Sequence, residues 1–515
     1  MEYKIQPWKH QLTAIERAKD LPWFALFFEM GAGQTMTVIN ILRAKMNQAR
    51  KYLRTLVLCP PIVIPNWKDE FLMHTKLDPD MIVLLNEDGK HRIRDFKDNA
   101  YSEGSQPGKI VRDPRIFVTN YESLTMGSVR EKVGKRTVFK PGPLLEEILR
   151  WAPEAVIFDE SHRIKNYKAA RSHFANVLAN PKTGPKPLTY LLSGSPVLNS
   201  PMDLFHQFLV MDGGATFGKN FFMFRARYFE DKNAGMLKNR ETSQRYFPNW
   251  VVKEGSIEEI NRLIFRYGMR VTKEECLDLP DEVPVTIKVR MTEQQVKNYR
   301  EMKNDYLTFV DGNSASATLA IVKALRLMQI TSGFLSLDAR GEENDVAKVV
   351  YQKTPKVEAL KELLEDITPH SKVIVWAVWK ENYEIIKRTC LEVGVQFVEV
   401  HGNISRGKQD EAVARFKSDP DVRVFIGHPG SGGIGINLVC APYSIFYSRT
   451  FSLEHFLQAR ARNHRGGQTQ KVTHYDLVCE HTIDELVQKK LALKLDLSDK
   501  LLNAKLAQEI QEQEL

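Results

Sequence analysis

Apolar residues along this chain fall into short unbroken runs that stop at glycine, proline or charged residues. In the first part of the chain these are "TLVLCPP" (Thr55–Pro61), "IFVTNY" (Ile116–Tyr121), "AVIFDE" (Ala155–Glu160) and "LTYLLSGSP" (Leu188–Pro196). Helical spacing separates them. Fully apolar strands that alternate with helices predict a parallel sheet covered on both faces. In such sheets chemistry gathers at the carboxyl ends of the strands. The pattern restarts with "KVIVWAVW" (Lys372–Trp379), "QFVEVHG" (Gln396–Gly402), "VRVFIGH" (Val422–His428) and "YSIFYS" (Tyr443–Ser448), which predict a second sheet. The expected fold class is therefore α/β, with two parallel-sheet lobes. The first covers residues 1–210, a mostly helical insert and lobe-joining segment 211–350, the second lobe 351–490 and a helical tail 491–515. The charged helical pattern after Ile483 predicts an amphipathic helix packed on the second lobe.

Composition narrows the classes. At 515 residues with 43% apolar and 27% charged, the chain can fill two or three cores and is typical of a soluble protein. Its cysteines (Cys59, Cys276, Cys390, Cys440, Cys479) are scattered and form no C-x-x-C pair. That argues against a disulfide framework or a zinc site and fits a reducing compartment. The start "MEYKIQPWKHQ" lacks the plan of a signal peptide, and no apolar run reaches membrane length, so a soluble intracellular protein is expected. A net charge of +9 favours a polyanionic partner. No coiled coil supports an oligomer, and a monomer is expected.

Three segments carry candidate chemistry. In "LFFEMGAGQTMTVIN" an apolar run ends in Gly31-Ala32-Gly33 and a helical pattern begins at Thr35. Glycines there let the backbone turn tightly with its amides toward phosphate oxygens, and the helix start adds its positive end. Thr35 would place a hydroxyl on a magnesium ion. The position before it, where ATPases carry lysine, holds Gln34. In "VIFDESH" a buried strand ends in two carboxylates, which is unfavourable unless they serve a cation or a proton. Asp159 would hold magnesium, and Glu160 would orient or deprotonate an attacking water. In "QARARNHRGGQ" Arg462 and Arg465 are spaced one helical turn apart, predicting two guanidiniums on one helix face, flanked by Gln458, His464 and Gln468. Such a pair can stabilise charge that builds on a transferring phosphate. Ser193 and Ser195, on the turn "SGSP" around Gly194, can sense the carboxylate pair and relay closure. Gly432, Gly433 and Gly435 give backbone room for phosphate or DNA to approach.

Taken in order, these segments resemble the motor of superfamily 2 helicases, in particular the Swi/Snf-like branch of double-stranded DNA translocases. The resemblance covers roughly residues 5–490, and "GGIGINL" followed by the R-x-H-R-x-G-Q spacing is specific to that branch. It implies two RecA-like lobes, ATP and Mg2+ as cofactors, and double-stranded DNA gripped through its backbone without regard to sequence. "WKHQ" resembles the adenine-reading segment, with Gln11. "LVLCPPIVIPNWKDEF" and "VTNYESL" resemble nucleic-acid-contacting segments, which points to Pro60, Asn66, Trp67, Asn120 and Tyr121 as contacts. Asn437, in "GHPGSGGIGINLVCA", and the strand-end residue His401 are the corresponding candidates in the second lobe.

Two positions depart from the family pattern: Gln34, and Arg449 where an acid is usual, which puts any lobe-interface pairing there in doubt. No chromatin-reading module is apparent, so a minimal motor of bacterial or phage type is expected, in the cytoplasm of the cell or infected host, with the nucleus left open. The function expected is ATP-driven translocation on double-stranded DNA, for protein displacement or branched-DNA remodelling, impaired by Gln34. The alternatives are a strand-separating DNA or RNA helicase and a non-catalytic nucleic-acid clamp. The basic stretch "VREKVGKRTVFKPGP" (Val129–Pro143) is expected to be a solvated loop rather than a DNA-touching hairpin. The aromatics of "FGKNFFMFRARYF" (Phe217–Phe229) are expected in the core rather than on bases.

Overall fold

The computed structural model describes residues 3–501 apart from 88, 104–109, 114, 135, 235–247, 277–278, 312–316, 337–347, 352 and 431–435. The chain divides into two compact units. One comprises Met1–Asp231, Trp250–Leu277 and Asp496–Leu515, the other Lys232–Asn249 and Asp278–Leu495. Residues 211–350, set apart in the sequence as an insert, are shared between them.

The first unit is built on strands β1 (Trp23–Phe28), β2 (Thr55–Cys59) and β3 (Ile82–Leu84), with a small ribbon of β4 (Tyr101–Glu103) and β5 (Ile110–Arg112) beside them. Then come β6 (Ile116–Asn120), the hairpin β7 (Val129–Val133) and β8 (Arg136–Lys140), β9 (Ala155–Asp159) and β10 (Leu188–Leu192). A ribbon of β11 (Phe229–Asp231) and β12 (Trp250–Val252) precedes β13 (Gly268–Val271). The main sheet runs β13-β1-β10-β9-β2-β6-β3, and every pairing in it is parallel. Successive side chains of a strand point to opposite faces. Ala25, Phe27, Val156 and Phe158 therefore enter one core, while Phe24, Leu26, Ala155 and Ile157 enter another on the far side. This is why the strands read as unbroken apolar runs.

In the second unit β14 (Glu282–Val289) leads to a ribbon of β15 (Phe334–Ser336) and β16 (Lys348–Val350). The remaining strands are β17 (Val373–Trp376), β18 (Gln396–Val400), β19 (Val422–Gly427), β20 (Tyr443–Phe446) and β21 (Val472–Cys479). The sheet order is β14-β21-β20-β17-β19-β18, again all parallel. Val373 and Val375 face one core, Ile374 and Trp376 the other. The α/β class with two parallel-sheet lobes is thus the observed architecture. The helix Ile483–Leu501 buries Val487 and Leu491, and Gln488 donates to the Asp476 carboxylate at 3.4 Å. No described helix is long and apolar enough to cross a membrane.

Two local expectations change. The basic stretch after Ser128 is a formed antiparallel hairpin, not a loop, because Val129 pairs with Lys140 and Val133 with Arg136 around Gly134 at φ +61°. In the aromatic stretch Phe217, Phe224, Tyr228 and Phe229 are core, whereas Phe222 and Met223 on the helix Phe221–Tyr228 are exposed.

Candidate functional site

Strands β1, β10 and β9 are neighbours, and their register places Leu26, Leu192 and Asp159 side by side. The three turns that follow them, with the glycine loop, the "SGSP" segment and the acidic pair, therefore share one edge of one sheet. Ser193 extends the ladder by donating its amide to the Leu26 carbonyl at 3.1 Å. A side chain at Gly194 would lie 3.2 Å from the Phe28 carbonyl and 3.5 Å from the Met30 amide, so this turn packs directly on the start of the glycine loop.

The loop is held by groups outside it. Gly31 and Gly33 sit at φ +96° and +78°, conformations that favour glycine. Ala32 is buried; its carbonyl lies 2.9 Å from His10 Nε2. Gln11, the residue assigned by resemblance to adenine, is 1% exposed, and both ends of its amide are engaged within the chain. Its Oε1 accepts from the Trp8 amide at 2.7 Å and its Nε2 donates to the Gly33 carbonyl at 3.3 Å. The helix Gln34–Ala49 begins on Gly33 without a side-chain cap, which leaves its first amides for an anion. Thr35 is half-buried in its first turn. Gln34 Oε1 is buried with no hydrogen-bond partner among the described residues. It is an acceptor stranded where a phosphate would bring only further acceptors.

Asp159 is buried, and burial together with the adjacent Glu160 carboxylate pushes its pKa up to about 7. Trp67 Nε1 donates to its Oδ2 at 3.0 Å, and the Tyr121 hydroxyl donates to its carbonyl at 2.7 Å. Here the expected nucleic-acid contacts are corrected. Trp67 and Tyr121 are 2% and 0% exposed, and large aromatics with a polar handle bury the ring and aim the N–H or O–H at a buried acceptor. Asn120 is also buried, its Oδ1 accepting from Ser123 N at 3.1 Å and from Arg92 at 3.2 Å, and Pro60 is buried at the start of a 3-10 turn. Of the first-lobe contacts expected, Asn66 alone is exposed.

Glu160 sits at φ +53°, a left-handed conformation that costs a side-chain-bearing residue on the order of 1–3 kcal/mol. Its carboxylate is 3.2 Å from His162 Nδ1, which lies 3.3 Å from Ser193 Oγ. Ser193 Oγ accepts from the Ser195 amide at 3.2 Å. Ser161 donates to Gln207 at 2.8 Å, and Gln207 donates to the Pro196 carbonyl at 2.8 Å. The acidic pair and the "SGSP" turn are thus stitched together twice. His162 and Gln207 were not singled out in the sequence; His162 in "DESH" was the visible signal for the first.

The second lobe holds the arginine segment, and one expectation fails there. Arg462 and Arg465 do not lie on a helix face: the helix Leu453–Arg460 ends first, and both belong to the turn that follows. Tertiary bonds explain the break. Asn463 Nδ2 donates to the Ala441 carbonyl at 3.0 Å, Gln468 Nε2 donates to the Val439 carbonyl at 3.1 Å, and Gly467 takes φ +95°. Arg462 is buried and burial lowers the pKa of Arg465. Gln458, still helical, donates to Glu454 at 3.3 Å.

Beside that turn Glu282, the first residue of β14, collects partners the sequence did not announce. Arg460 Nε lies 2.8 Å, and His474 Nε2 2.7 Å, from its carboxylate, and His464 Nε2 is 3.0 Å from the Pro280 carbonyl. Against the upward push of burial, the bonds from His474 and Arg460 hold the Glu282 carboxyl well below the usual carboxylate range. Arg449 pairs with Asp476 inside this unit, its guanidinium 4.6 and 4.3 Å from the rings of Phe446 and Phe456. His401 is buried, its ring stacked on Tyr383 at 4.2 Å. Asn437 is half-buried and its Oδ1 accepts from the Val439 amide at 3.1 Å. Gly433 and Gly435 lie outside the described residues.

Comparison with known proteins places these features in a lineage. The family described as "Helicase conserved C-terminal domain" matches residues 355–467. The DNA repair and recombination protein RDH54 of Saccharomyces cerevisiae is 24% identical over 95% of this chain and 52% of its own length. The mouse Chromodomain-helicase-DNA-binding protein 1-like is 25% identical over 92% of this chain and 47% of its own. The chain thus spans about half the length of such curated relatives. The solved Sulfolobus solfataricus SWI2/SNF2 ATPase core in complex with dsDNA covers 97% of this chain at 19% identity, with 93% of its own length matched and a TM-score of 0.38. The family described as "SNF2-related domain" matches residues 24–335, more than half of the sequence, and the chain belongs to that family.

Proposed function

We propose that this chain is an ATP-driven motor that moves along double-stranded DNA, gripping the backbone without reading sequence, and that Gln34 holds it nearly still. The observation that carries this reading is the shared edge of β1, β10 and β9, where a glycine loop, a relay turn and a carboxylate pair meet. The loop amides, the helix start at Gln34 and Thr35 suit the phosphates of ATP. Asp159, with Thr35, suits Mg2+: burial has already raised its pKa, so a cation would be welcome there. A bound magnesium ion would neutralise charge on the phosphates.

Each residue then has a task. Glu160, held toward His162, orients the attacking water and takes its proton. His162, Ser193 and Ser195 pass changes at the acidic pair to the "SGSP" turn. Arg462 and Arg465 are cations of the kind that stabilise charge developing on a transferring phosphate. Replacing the loop lysine by a neutral amide removes a charge-assisted contact worth roughly twice a neutral one. A loss on the order of 10²-fold or more in rate follows. A decayed site would have lost more than one part; here Asp159, Glu160, Arg462 and Arg465 are all in place. The similarity to proteins named for DNA repair and DNA binding agrees with a DNA partner. We also assign the chain to the bacterial or phage type and to a monomeric state.

The test is phosphate release with double-stranded DNA, single-stranded DNA, RNA or no nucleic acid, for the chain as it stands and for Gln34→Lys. Stimulation by double-stranded DNA in Gln34→Lys alone is the expected result. No gain by Gln34→Lys with any nucleic acid ends the motor reading, and rapid turnover by the unchanged chain ends the account of Gln34. Triplex displacement without duplex unwinding separates translocation from strand separation.

A further inference from the structure

Three arginines from three elements converge on the 3-10 turn Tyr121–Leu124 that follows β6. Arg92, from the helix Gly89–Ala100, donates to Asn120 Oδ1 at 3.2 Å and to Ser123 Oγ at 2.8 Å, bracing the turn from one side. On the other side Arg163, just past the acidic pair, and Arg171, in the first turn of the helix Ala170–Ala179, reach the same oxygen of Glu122. Their Nη1 atoms are 3.9 and 3.3 Å from Glu122 Oε1. Glu122 itself is about half exposed, at 54%.

This pairing leaves the arginines under-supplied. A guanidinium carries five N–H donors in a fixed fork. The Nε of Arg163 and the Nε of Arg171 are both buried without a hydrogen-bond partner among the described residues, so neither fork is braced from within, and the partly exposed Nη groups are the donors a ligand would meet. One shared carboxylate oxygen at long range is poor use of two such forks, and an ion pair this open to water adds little stability. The cluster sits at the carboxyl end of a parallel sheet, the edge where ligands of such sheets bind. The β7–β8 hairpin rests nearby on the helix that carries Arg171: the Phe139 ring is 5.3 Å from His173 and 6.1 Å from Phe174. It brings Arg130 to 5.9 Å from that phenylalanine ring, adding positive charge. A group with several acceptor oxygens and a negative charge is what two half-satisfied guanidiniums lack, and phosphate is such a group.

We propose that Arg163 and Arg171 form a binding site for a backbone phosphate of double-stranded DNA, and that Glu122 is its built-in competitor. The carboxylate stands where one phosphate oxygen would, and the DNA must displace it. Glu122 thereby weakens the grip at this one contact, which suits a protein that must release each phosphate to advance. The inference rests on the proposed DNA partner but not on ATP hydrolysis, so Gln34 does not obscure its test.

The experiment is fluorescence anisotropy of a short labelled duplex with the full chain, without nucleotide, over a salt series. Glu122→Gln is expected to bind several-fold tighter with an unchanged thermal midpoint. Arg171→Ala and Arg163→Ala are expected to bind more weakly, each lowering the slope of log K against log salt by about 0.9. Glu122→Gln combined with Arg171→Ala should lose most of the gain, since the site it unmasks is gone. Equal binding by Glu122→Gln and the unchanged chain overturns the competitor, and weaker binding by Glu122→Gln shows the carboxylate to be a brace for the arginines instead. Unchanged binding and slope in both arginine variants overturns the site while leaving the DNA partner intact. Absence of binding by every version removes the DNA partner itself.

Discussion

The two lobes share one architecture and fix their critical residues by opposite means. In the first, Asp159 and Glu160 are held by strand ends, a left-handed backbone and hydrogen bonds from Trp67, Tyr121 and His162, and burial works against the charge on Asp159. In the second, the arginine turn is flanked by the ion pair of Glu282 with Arg460, and His474 lies against the same carboxylate. One carboxylate is kept uncomfortable, the other is kept ionised. The contrast teaches that a buried acid serves chemistry where its charge lacks a partner and serves stability where it has several.

Five measurements can break or sharpen that contrast. The largest effect is expected in activity. In the Gln34→Lys chain, Glu160→Gln should lower DNA-stimulated phosphate release by about 10²–10⁴-fold, the range for removal of a general base. Retention of most of the rate would mean that the strained first-lobe edge is not where the chemistry happens.

Next comes stability in the second lobe. Glu282→Ala strands Arg460 and His474 and should cost about 2 kcal/mol, less than the 3–5 kcal/mol of a fully buried pair because these groups keep some water. A denaturant midpoint reads this. The same acid sets a pH dependence. Its folded pKa is depressed, so its contribution is complete above the unfolded value of about 4.3 and fades as pH falls below it. Glu282→Gln should therefore show a shallower loss of midpoint between neutral and acid pH than the unchanged chain.

Gly33→Ala should destabilise the first lobe by about 1–2 kcal/mol, the cost of a left-handed conformation for a residue with a Cβ. The added methyl would also collide with Gln11 Nε2, which must move. The smallest effect carries the opposite sign. Asp159→Asn, in magnesium-free buffer at neutral pH, should raise the thermal midpoint by about 2–4 °C, since it relieves an unfavourable buried charge while keeping an acceptor for Trp67. A fall instead would place Asp159 in the same class as Glu282 and erase the difference between the lobes.

Much of this was legible in the chain. All eight apolar runs read as strands are strands, because fully buried parallel strands leave a signal that competes with nothing else. The edges of the lobes were less visible. β14 joins the second sheet although its alternating apolar and polar residues lie far from the other strands in sequence. Spacing put Arg462 and Arg465 on a helix; three-residue spacing is compatible with a helix but cannot report the pull of Asn463 and Gln468 on the backbone. Trp67 and Tyr121 were placed on the surface by analogy of motif, whereas their hydrogen bonds to Asp159 join residues about ninety and forty positions away, at separations of 92 and 38. No local pattern encodes a partner at that distance.

The stranded amide of Gln34 has a consequence in heredity. The loop around it takes its shape from Gln11, His10 and two glycines, so residue 34 can change without asking the fold for permission. Glutamine and lysine codons differ in their first base alone. On the function proposed above, the quiet and the working enzyme are a single transversion apart, with no unstable intermediate between them. A population carrying this gene under selection for motor activity would find the lysine quickly, and its recurrence among revertants would show which state the cell had been asked to keep.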